Sequence, residues 1–164
     1  IAAWAYSAEP VRLKRSGWWG PGLVGLSYEG LPWFTGAAVL LNAAPRFEVI
    51  VMAALYAFGA HGIMTLNDFK ALEGDRQHGV RSLPVVLGPE VAARIACTVM
   101  GMAQALVIAF LVVLDKPWHA LAVTALLALQ IAAMRVKAPW YNGTGVVLYV
   151  TGMMITAFAL RGLA

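Results

Sequence analysis

The chain has 164 residues, of which 61% are apolar and only 12% are Asp, Glu, Lys or Arg. A soluble globular protein usually carries about twice that share of charged residues, so this chain has too few polar groups to coat a water-exposed surface. One Cys and no repeat exclude a disulfide-stapled or collagen-like protein, and the apolar content excludes a disordered one. The net charge of +4 comes from basic residues clustered between apolar runs, which argues against nucleic-acid binding. The composition predicts an integral membrane protein.

Five apolar windows meet or approach the length of about 20 residues that a helix needs to cross a bilayer. They are Gly17–Leu41, Val49–Asn67, Val91–Leu114, Trp118–Met134 and Gly145–Leu160. Ile1–Ala8 has the composition of the end of a sixth helix. We therefore expect an all-α integral membrane fold, a transmembrane helix bundle of about five helices plus this remnant, forming a single domain over residues 1–164.

The placement of charge supports this helix count. If all five windows cross, residues 9–16, 68–90 and 135–142 lie on one side of the membrane. That side carries nine basic residues when Arg94, at the start of the third window, is counted with Arg12, Lys14, Arg15, Lys70, Arg76, Arg81, Arg135 and Lys137. The other side carries three, Arg46, Lys116 and Arg161. Basic residues are enriched on the cytoplasmic side of membrane proteins. The first side is therefore predicted to be cytoplasmic and the C-terminus to lie outside.

An acidic and basic stretch, residues 67–84, directly follows the second window. Seven residues separate Asp68 from Asp75, which is nearly two helical turns, so the two carboxylates would share one helix face. Such a pair attracts a hard cation such as Mg²⁺, and Lys70, Arg76 and Arg81 could hold phosphate charge beside it. The alternative is a solvated cytoplasmic loop whose charges only obey topology, and the spacing alone does not decide between the two.

A second cluster, residues 6–15, falls on the same predicted side. Arg12 and Lys14 could contact a diphosphate, and Tyr6 could add a hydroxyl group. The alternative meaning of a basic cluster next to a membrane is topology or attraction to anionic lipid.

Two further polar residues lie inside apolar windows. Glu29 stands midway along the first window, where an acid is costly and is by default a functional candidate. The alternative is an acid satisfied by neighbouring Tyr or Ser side chains. His61, in the second window, could ligate the magnesium of a tetrapyrrole, although a hydrogen-bonded packing role is the favoured interpretation.

The acidic stretch resembles a family motif. Its residues Asn67-Asp68-Phe69-Lys70, Glu73-Gly74-Asp75-Arg76, Gly79 and Ser82-Leu83-Pro84 resemble the second acidic motif of chlorophyll and bacteriochlorophyll synthases, a branch of the UbiA superfamily of intramembrane prenyltransferases. The resemblance continues through Tyr6-Ser7, Arg12-Leu13-Lys14, Gly17-Trp18-Trp19-Gly20, Tyr28-Glu29-Gly30-Leu31 and Trp140-Tyr141-Asn142-Gly143. It covers essentially the whole chain, and the bacteriochlorophyll branch is the closer one.

The resemblance implies about nine transmembrane helices with two acidic motifs facing each other across a cavity. The five helices here would match the last five, so we expect the chain to be a C-terminal part without the first motif. The family has a longer linker than Arg135-Val136-Lys137-Ala138, so residues could be missing between Val136 and Lys137. The wider superfamily commonly has two acids four residues apart, but Ala71 stands in the first of those places and Asp75 in the second. Asp68 would then take over, with Glu73 as a substitute.

The resemblance also implies an activity, the transfer of a geranylgeranyl or phytyl group from its diphosphate to the propionate of bacteriochlorophyllide, with Mg²⁺ as cofactor. The implied catalytic residues are Asp68, Asp75, Glu29 and Tyr6, the metal ligands Asp68, Asp75 and Glu73, and the diphosphate-binding residues Arg12, Lys14, Lys70, Arg76 and Arg81. Trp33, Phe34 and Phe69 would line the acceptor cavity.

The expected setting is a bacterial inner, intracytoplasmic photosynthetic membrane. The implied partners are the two substrates, the lipid bilayer and other photosynthetic-membrane proteins, and no nucleic acid is expected. Two alternatives remain. The first is a UbiA enzyme with a quinone-precursor or haem acceptor. The second is a non-catalytic pigment-binding scaffold or half-transporter.

Overall fold

The computed structural model describes residues 1–134 and 138–161, with only the backbone described over 138–142. Helices make up most of this part of the chain, and no strand longer than an isolated bridge occurs in it. The helices are α1 (Ala2–Ser7), α2 (Trp19–Gly25), α3 (Leu31–Leu41), α4 (Phe47–Asp68), α5 (Leu72–Gln77), α6 (Leu83–Leu87), α7 (Pro89–Val113), α8 (Pro117–Met134) and α9 (Ala138–Leu160). The expected all-α fold is confirmed. The shortened linker at Arg135–Lys137 lies outside the described residues.

Four helical stretches of the described chain are long and apolar enough to cross a membrane. They are Phe47–Gln77, Pro89–Val113, Pro117–Met134 and Gly143–Leu160. They contain the cores of the second to fifth predicted windows, and their ends differ from those predictions by only a few residues, except that the first extends ten residues beyond Asn67. The extension arises because a 3₁₀ turn at Phe69–Ala71 joins α4 to α5, so that the helical path continues into the acidic stretch.

The first predicted window is helical from Trp19 to Leu41, but it is not one regular α-helix. A π-helical turn at Leu26–Gly30 joins α2 to α3, and Pro32 lies in the first turn of α3, where its missing N–H costs least. Asn42 ends α3 in the left-handed conformation, a common way to terminate a helix. That this segment crosses the membrane stays a prediction.

Helix α4 forms the centre of the bundle, packed against α2, the π-helical turn, α7 and α9. Tyr56 is fully buried in it, stacks on Trp33 and hydrogen-bonds through its hydroxyl to Thr156 Oγ1 at 2.7 Å. Gly62 lies where α7 approaches so closely that any side chain would collide with the backbone of Ala96. This close packing holds the end of α4, and therefore Asp68, in a fixed place.

Candidate active site

A short backbone bridge joins the two charged segments that the sequence keeps 65 residues apart, at Ser16 and Arg81. Arg81 N–H donates to the carbonyl of Arg15 at 3.0 Å, and Gly17 N–H donates to the carbonyl of Arg81 at 2.9 Å. A Cβ atom on Gly17 would stand 2.5 Å from Leu83 N, so only glycine allows the two backbones to approach this closely. The bridge therefore brings the basic cluster to the acidic stretch.

A cavity of about 510 Å³ opens where these segments meet. Its polar lining comes from three parts of the chain: α1, the basic loop before α2, and the stretch from the end of α4 to the bridge. The lining residues whose side chains could bind a metal ion or a phosphate, or transfer a proton, are Tyr6, Arg12, Lys14, Arg15, Asn67, Asp68, Asp75 and His78. Of the ten site residues predicted from the sequence or the resemblance, five line this cavity: Tyr6, Arg12, Lys14, Asp68 and Asp75. The other five do not: Glu29, Lys70, Glu73, Arg76 and Arg81.

Two carboxylates face this cavity, one from the end of α4 and one from α5. The charge of Asp75 acts on Asp68, and both charges act on the hydroxyl of Tyr6, so the three groups are electrostatic neighbours. Asn67 adds an amide beside them. Carboxylate and amide oxygens are the ligands that Mg²⁺ prefers, usually one or two carboxylates completed by water and phosphate oxygens. The donor set therefore fits Mg²⁺ bound together with a diphosphate.

The part of the chain that the structure describes contains no cluster of three or more His, Cys, Asp or Glu side chains able to hold a metal ion. Glu73 is not beside the two aspartates: it accepts a hydrogen bond from Gln77 at 3.1 Å and lies 3.9 Å from the Arg76 guanidinium. A metal ion in the cavity would therefore depend on Asp68, Asp75 and the substrate's own oxygens.

The basic side of the cavity is shaped by an unusual backbone. Arg12 adopts φ 38°, in the left-handed region that costs a non-glycine residue energy. Its Nη1 donates to Glu9 Oε1 at 3.0 Å, and its Nε is buried with no hydrogen-bond partner among the described residues. The Arg12 hydrogen bond, aided by the charge of Arg15, lowers the pKa of Glu9, so that carboxylate stays ionised. Lys14 lines the cavity without an ion pair in the described chain.

Three predicted diphosphate contacts lie elsewhere. Lys70 is exposed and Arg76 is exposed on α5, and neither lines the acidic cavity. Arg81 lines a neighbouring cavity instead. The sequence placed all three near the acids because they are close in the chain, but the turns between them point side chains in different directions.

Glu29 belongs to a different cavity. It lies on the π-helical turn and lines a space of about 380 Å³ with Pro32, Trp33 and Arg161. This space also contacts Val49, at the start of α4, whereas Asp68 is at the other end of that helix. Of the three aromatic residues expected around an acceptor, only Trp33 lines this cavity. Phe34 is exposed, and Phe69 packs on the core.

His61 is held by hydrogen bonds inside the bundle. Its Nε2–H donates to the Trp18 carbonyl at 3.1 Å, and its ring packs against Trp18 with centroids 5.5 Å apart. Its other ring nitrogen, Nδ1, lies 3.5 Å from Thr65 Oγ1, so both nitrogens have polar neighbours within the bundle and the geometry supports the packing interpretation.

His78 lines the acidic cavity, although sequence reasoning did not select it. Its Nδ1 donates to the Gly74 carbonyl at 2.8 Å, so in the neutral ring Nε2 keeps its lone pair. The available signal was its position three residues after Asp75, which puts both on one face of a helical turn.

The model of the UbiA prenyltransferase family matches residues 1–160. The chain belongs to the UbiA prenyltransferase family. With its apolar helices, membership of this membrane family makes the chain part of a multi-pass membrane protein.

The similar UbiA proteins include both branches expected from the motif. The chain is 73% identical over 170 residues to the bacteriochlorophyll synthase 33 kDa chain of Cereibacter sphaeroides. The matched region covers 99% of this chain and 56% of that protein. It is 70% identical over 171 residues to the protein of the same name from Rhodobacter capsulatus, with 98% and 56% covered. Chloroplastic chlorophyll synthase of Arabidopsis thaliana is 36% identical over 167 residues, with 97% and 43% covered.

These matches confirm the resemblance found in the sequence, including the closer relation to the bacteriochlorophyll branch. The chain spans about half the length of the curated relatives it matches. No solved structure matches it.

Proposed function

We propose that residues 1–164 form the C-terminal part of a single-domain bacteriochlorophyll synthase, which transfers a geranylgeranyl or phytyl group from its diphosphate to the propionate of bacteriochlorophyllide. The observation that carries the proposal is the meeting of Asp68 and Asp75 with Arg12 and Lys14 at one cavity. A diphosphate substrate needs carboxylates that hold a divalent metal ion and basic side chains that bind its phosphate oxygens. The identity of the acceptor is supported by the 73% and 70% identity to bacteriochlorophyll synthases.

Asp68 and Asp75 would hold Mg²⁺, with Asn67 as the adjacent oxygen donor. The bound ion would neutralise charge on the diphosphate and so make it a better leaving group. Because the lining residues include only two carboxylates, the ion would keep positions open for substrate oxygens.

The basic residues would act on the opposite side of the diphosphate. Arg12 is suited to this because its Nε is buried without a partner, and a phosphate oxygen would satisfy that donor. Lys14 would add a second charge, and the hydroxyl of Tyr6, which lines the same cavity as both aspartates, would donate to a diphosphate oxygen. The bond from the allylic carbon to the diphosphate oxygen then breaks, and its electron pair leaves with the diphosphate.

The acceptor carboxylate attacks the same allylic carbon and forms the ester. An alkyl carboxylic acid is ionised at neutral pH, so the nucleophile needs no general base from the chain. What the chain must supply is exclusion of water, which would otherwise capture the developing cation. Helices α2 and α4 would provide such surroundings for a prenyl tail, since Pro21, Val24 and Met64 line the cavity.

Glu29 would serve this reaction at the periphery of the pigment rather than at the diphosphate, since it lines the cavity that contains Trp33. We place the enzyme in a bacterial inner, photosynthetic membrane with the two charged loops cytoplasmic. The excess of basic residues around the acidic cavity supports that orientation.

The experiment is an acceptor assay on the full-length protein with geranylgeranyl diphosphate and Mg²⁺. We expect esterified bacteriochlorophyllide, no product with 4-hydroxybenzoate or haem, and loss of turnover when a chelator removes divalent metal. Preference for 4-hydroxybenzoate or haem would move the protein to another UbiA branch. Stoichiometric bound pigment without diphosphate release would contradict the enzyme and favour a pigment-binding scaffold.

A further inference from the structure

A second cavity, of about 420 Å³, borders the acidic one and shares Arg12, Arg15, Ser16 and Gly17 with it. It lies between the loop before α2 and helix α6, and both residues of the Ser16–Arg81 bridge line it. Among the described residues that line the second cavity there is no aspartate, and Glu9 supplies the one carboxylate. It therefore lacks the donor set for a metal-bound diphosphate.

The charge of the second cavity is strongly positive. Three guanidinium groups line it, those of Arg12, Arg15 and Arg81. Glu9 Oε1 accepts from Arg12 Nη1 at 3.0 Å and from Arg15 Nη1 at 3.2 Å, so one carboxylate is shared between two of them. Arg81 has no ion pair with any described residue. Three cations against one anion leave an excess of two positive charges for a ligand.

The rest of the lining is apolar. Trp18 and Trp19 lie on one side, and Leu83, Val86 and Leu87 of α6 on the other. Both tryptophans are more than half exposed, and Val86 and Leu87 also present surface. Tryptophan beside arginine at the ends of apolar helices is typical of the membrane–water interface. The ligand that fits is therefore anionic at one end and apolar at the other.

We propose that the second cavity binds an anionic phospholipid, with its headgroup phosphate between Arg15 and Arg81 and its acyl chains along Trp19, Val86 and Leu87. Basic pockets between membrane helices on the cytoplasmic side recognise lipid headgroups by this combination of charge and apolar contact. Free phosphate would use the arginines but leave the apolar wall without a partner. The proposal does not depend on the reaction proposed above, because Trp19, Arg81, Val86 and Leu87 line the second cavity and not the acidic one.

The bound lipid would also restrict the motion of residues that line the acidic cavity. Arg12 and Arg15 belong to both linings, and the bridge at Arg81 fixes the same loop. Occupation of the second cavity would hold Arg12 in its left-handed conformation and so order the wall shared with the acidic cavity.

The test measures binding of fluorescently labelled, short-chain phosphatidylglycerol to the full-length protein in detergent, with labelled phosphatidylcholine as the uncharged comparison. We expect phosphatidylglycerol to bind at least tenfold more tightly. Arg15→Gln and Arg81→Gln should each weaken that binding about fivefold, the effect of one basic residue near an anionic headgroup. Arg94→Gln is the matched control, because Arg94 is exposed on α7, lies 4.0 Å from Glu90 and is not among the residues that line the second cavity.

Glu9→Gln tests the same charge balance in the opposite direction. Removing the competing carboxylate should tighten binding of phosphatidylglycerol by a few fold, a gain that misfolding cannot produce. Elution of every variant as a single species in size-exclusion chromatography checks the fold.

Three results would overturn the proposal. The first is equal affinity for phosphatidylcholine and phosphatidylglycerol. The second is a loss of binding in Arg94→Gln as large as in Arg15→Gln and Arg81→Gln, which would indicate a diffuse surface charge. The third is displacement of the labelled lipid by inorganic phosphate or bacteriochlorophyllide more readily than by unlabelled phosphatidylglycerol, which would assign the cavity to another anion.

Discussion

Asp68 and Asp75 show how two like charges become useful at the scale of single residues. They lie on separate helical segments, line one cavity and act on each other electrostatically. Like charges held together disfavour the folded protein unless a cation accompanies them. Arg12 and Lys14 stand in the same lining, so the cavity presents anions for a metal and cations for a phosphate.

The first prediction concerns the two carboxylates. Asp68→Asn or Asp75→Asn should lower the rate of prenyl transfer by roughly 10² to 10³, because each removes a charged ligand from the site that stabilises the leaving group. The measurement is turnover at saturating Mg²⁺ with the full-length protein. Asp115→Asn is the matched control, since Asp115 follows α7 at a site away from the cavity and its left-handed backbone also suits Asn.

Near-normal turnover of both variants would contradict the assignment. A further variant, Glu73→Gln, tests whether the metal ligands are Asp68 and Asp75 alone or include Glu73. Because Glu73 contacts Gln77 and Arg76 rather than the cavity, we expect a much smaller effect than for either aspartate.

The second prediction concerns the basic residues. Arg12→Gln and Lys14→Gln should each raise the KM for prenyl diphosphate about tenfold, the usual effect of losing a hydrogen bond to a charged group. The KM for the pigment should change little. Arg46→Gln is the control, because Arg46 pairs with Glu48 at the other end of α4. Equal effects on both substrates would indicate a structural role for these residues.

The bridge between Ser16 and Arg81 organises the site at the scale of elements. It is short, but it joins the loop before α2 to the segment before α6, and both cavities lie against it. The approach depends on Gly17, whose missing side chain leaves room for the backbone of Leu83. The pairing of these two segments therefore depends on the missing side chain of Gly17 as well as on the charged residues around it.

The third prediction tests that dependence. Gly17→Ala should lower the free energy of unfolding by about 1 to 3 kcal/mol, because the added Cβ forces the two backbones apart. It should also lower turnover, since both charged loops shift. Gly74→Ala is the matched control: Gly74 lies in α5 with nothing within 4 Å of an added Cβ, and alanine favours the helix.

Thermal unfolding in detergent, followed by the loss of monodisperse protein, gives the comparison. A melting temperature for Gly17→Ala at or above that of Gly74→Ala would show that the close approach is unnecessary.

The arrangement of the whole molecule requires one face of the membrane to carry both charged loops. Arg12 and Asp75 line the same cavity, so the basic loop and the acidic stretch cannot lie on opposite sides. The loop with Lys116, between α7 and α8, is separated from that face by the full length of α7. The excess of basic residues predicts that the face with the acidic cavity is cytoplasmic.

The fourth prediction is a labelling pattern. In a Cys97→Ala background, Gln77→Cys should react with a membrane-impermeant thiol reagent only when the cytoplasmic face is open to it. Lys116→Cys should react from the opposite face. Both positions are outside the core, whereas Cys97 is buried. Labelling of both positions from one face would contradict the predicted orientation and helix count.

Helix content and membrane character could be predicted from the sequence because they depend on local quantities. Within a lipid bilayer, the backbone N–H and C=O groups of an apolar run of about 20 residues find hydrogen-bond partners only within the run itself, as in an α-helix. The sequence therefore predicted helices over Val91–Leu114 and Trp118–Met134. The family, too, was readable from the sequence, because the order Asn67-Asp68 to Ser82-Leu83-Pro84 is itself the motif. The seven-residue spacing predicted that Asp68 and Asp75 would share a helix face, and in the structure the two residues, on separate helical segments, line one cavity.

Which charged residues share a cavity was decided only by the tertiary structure. Lys70, Arg76 and Glu73 are as near to the aspartates in the chain as His78, yet only His78 lines the cavity, because a 3₁₀ turn and a short helix rotate successive side chains by different angles. Glu29 lies on the π-helical turn Leu26–Gly30 and lines a different cavity, which includes Trp33. Tyr6, Arg12 and Lys14 reach Asp68 through a bridge between segments far apart in sequence, which depends on close backbone packing at Gly17, and no periodicity within either segment encodes such a contact.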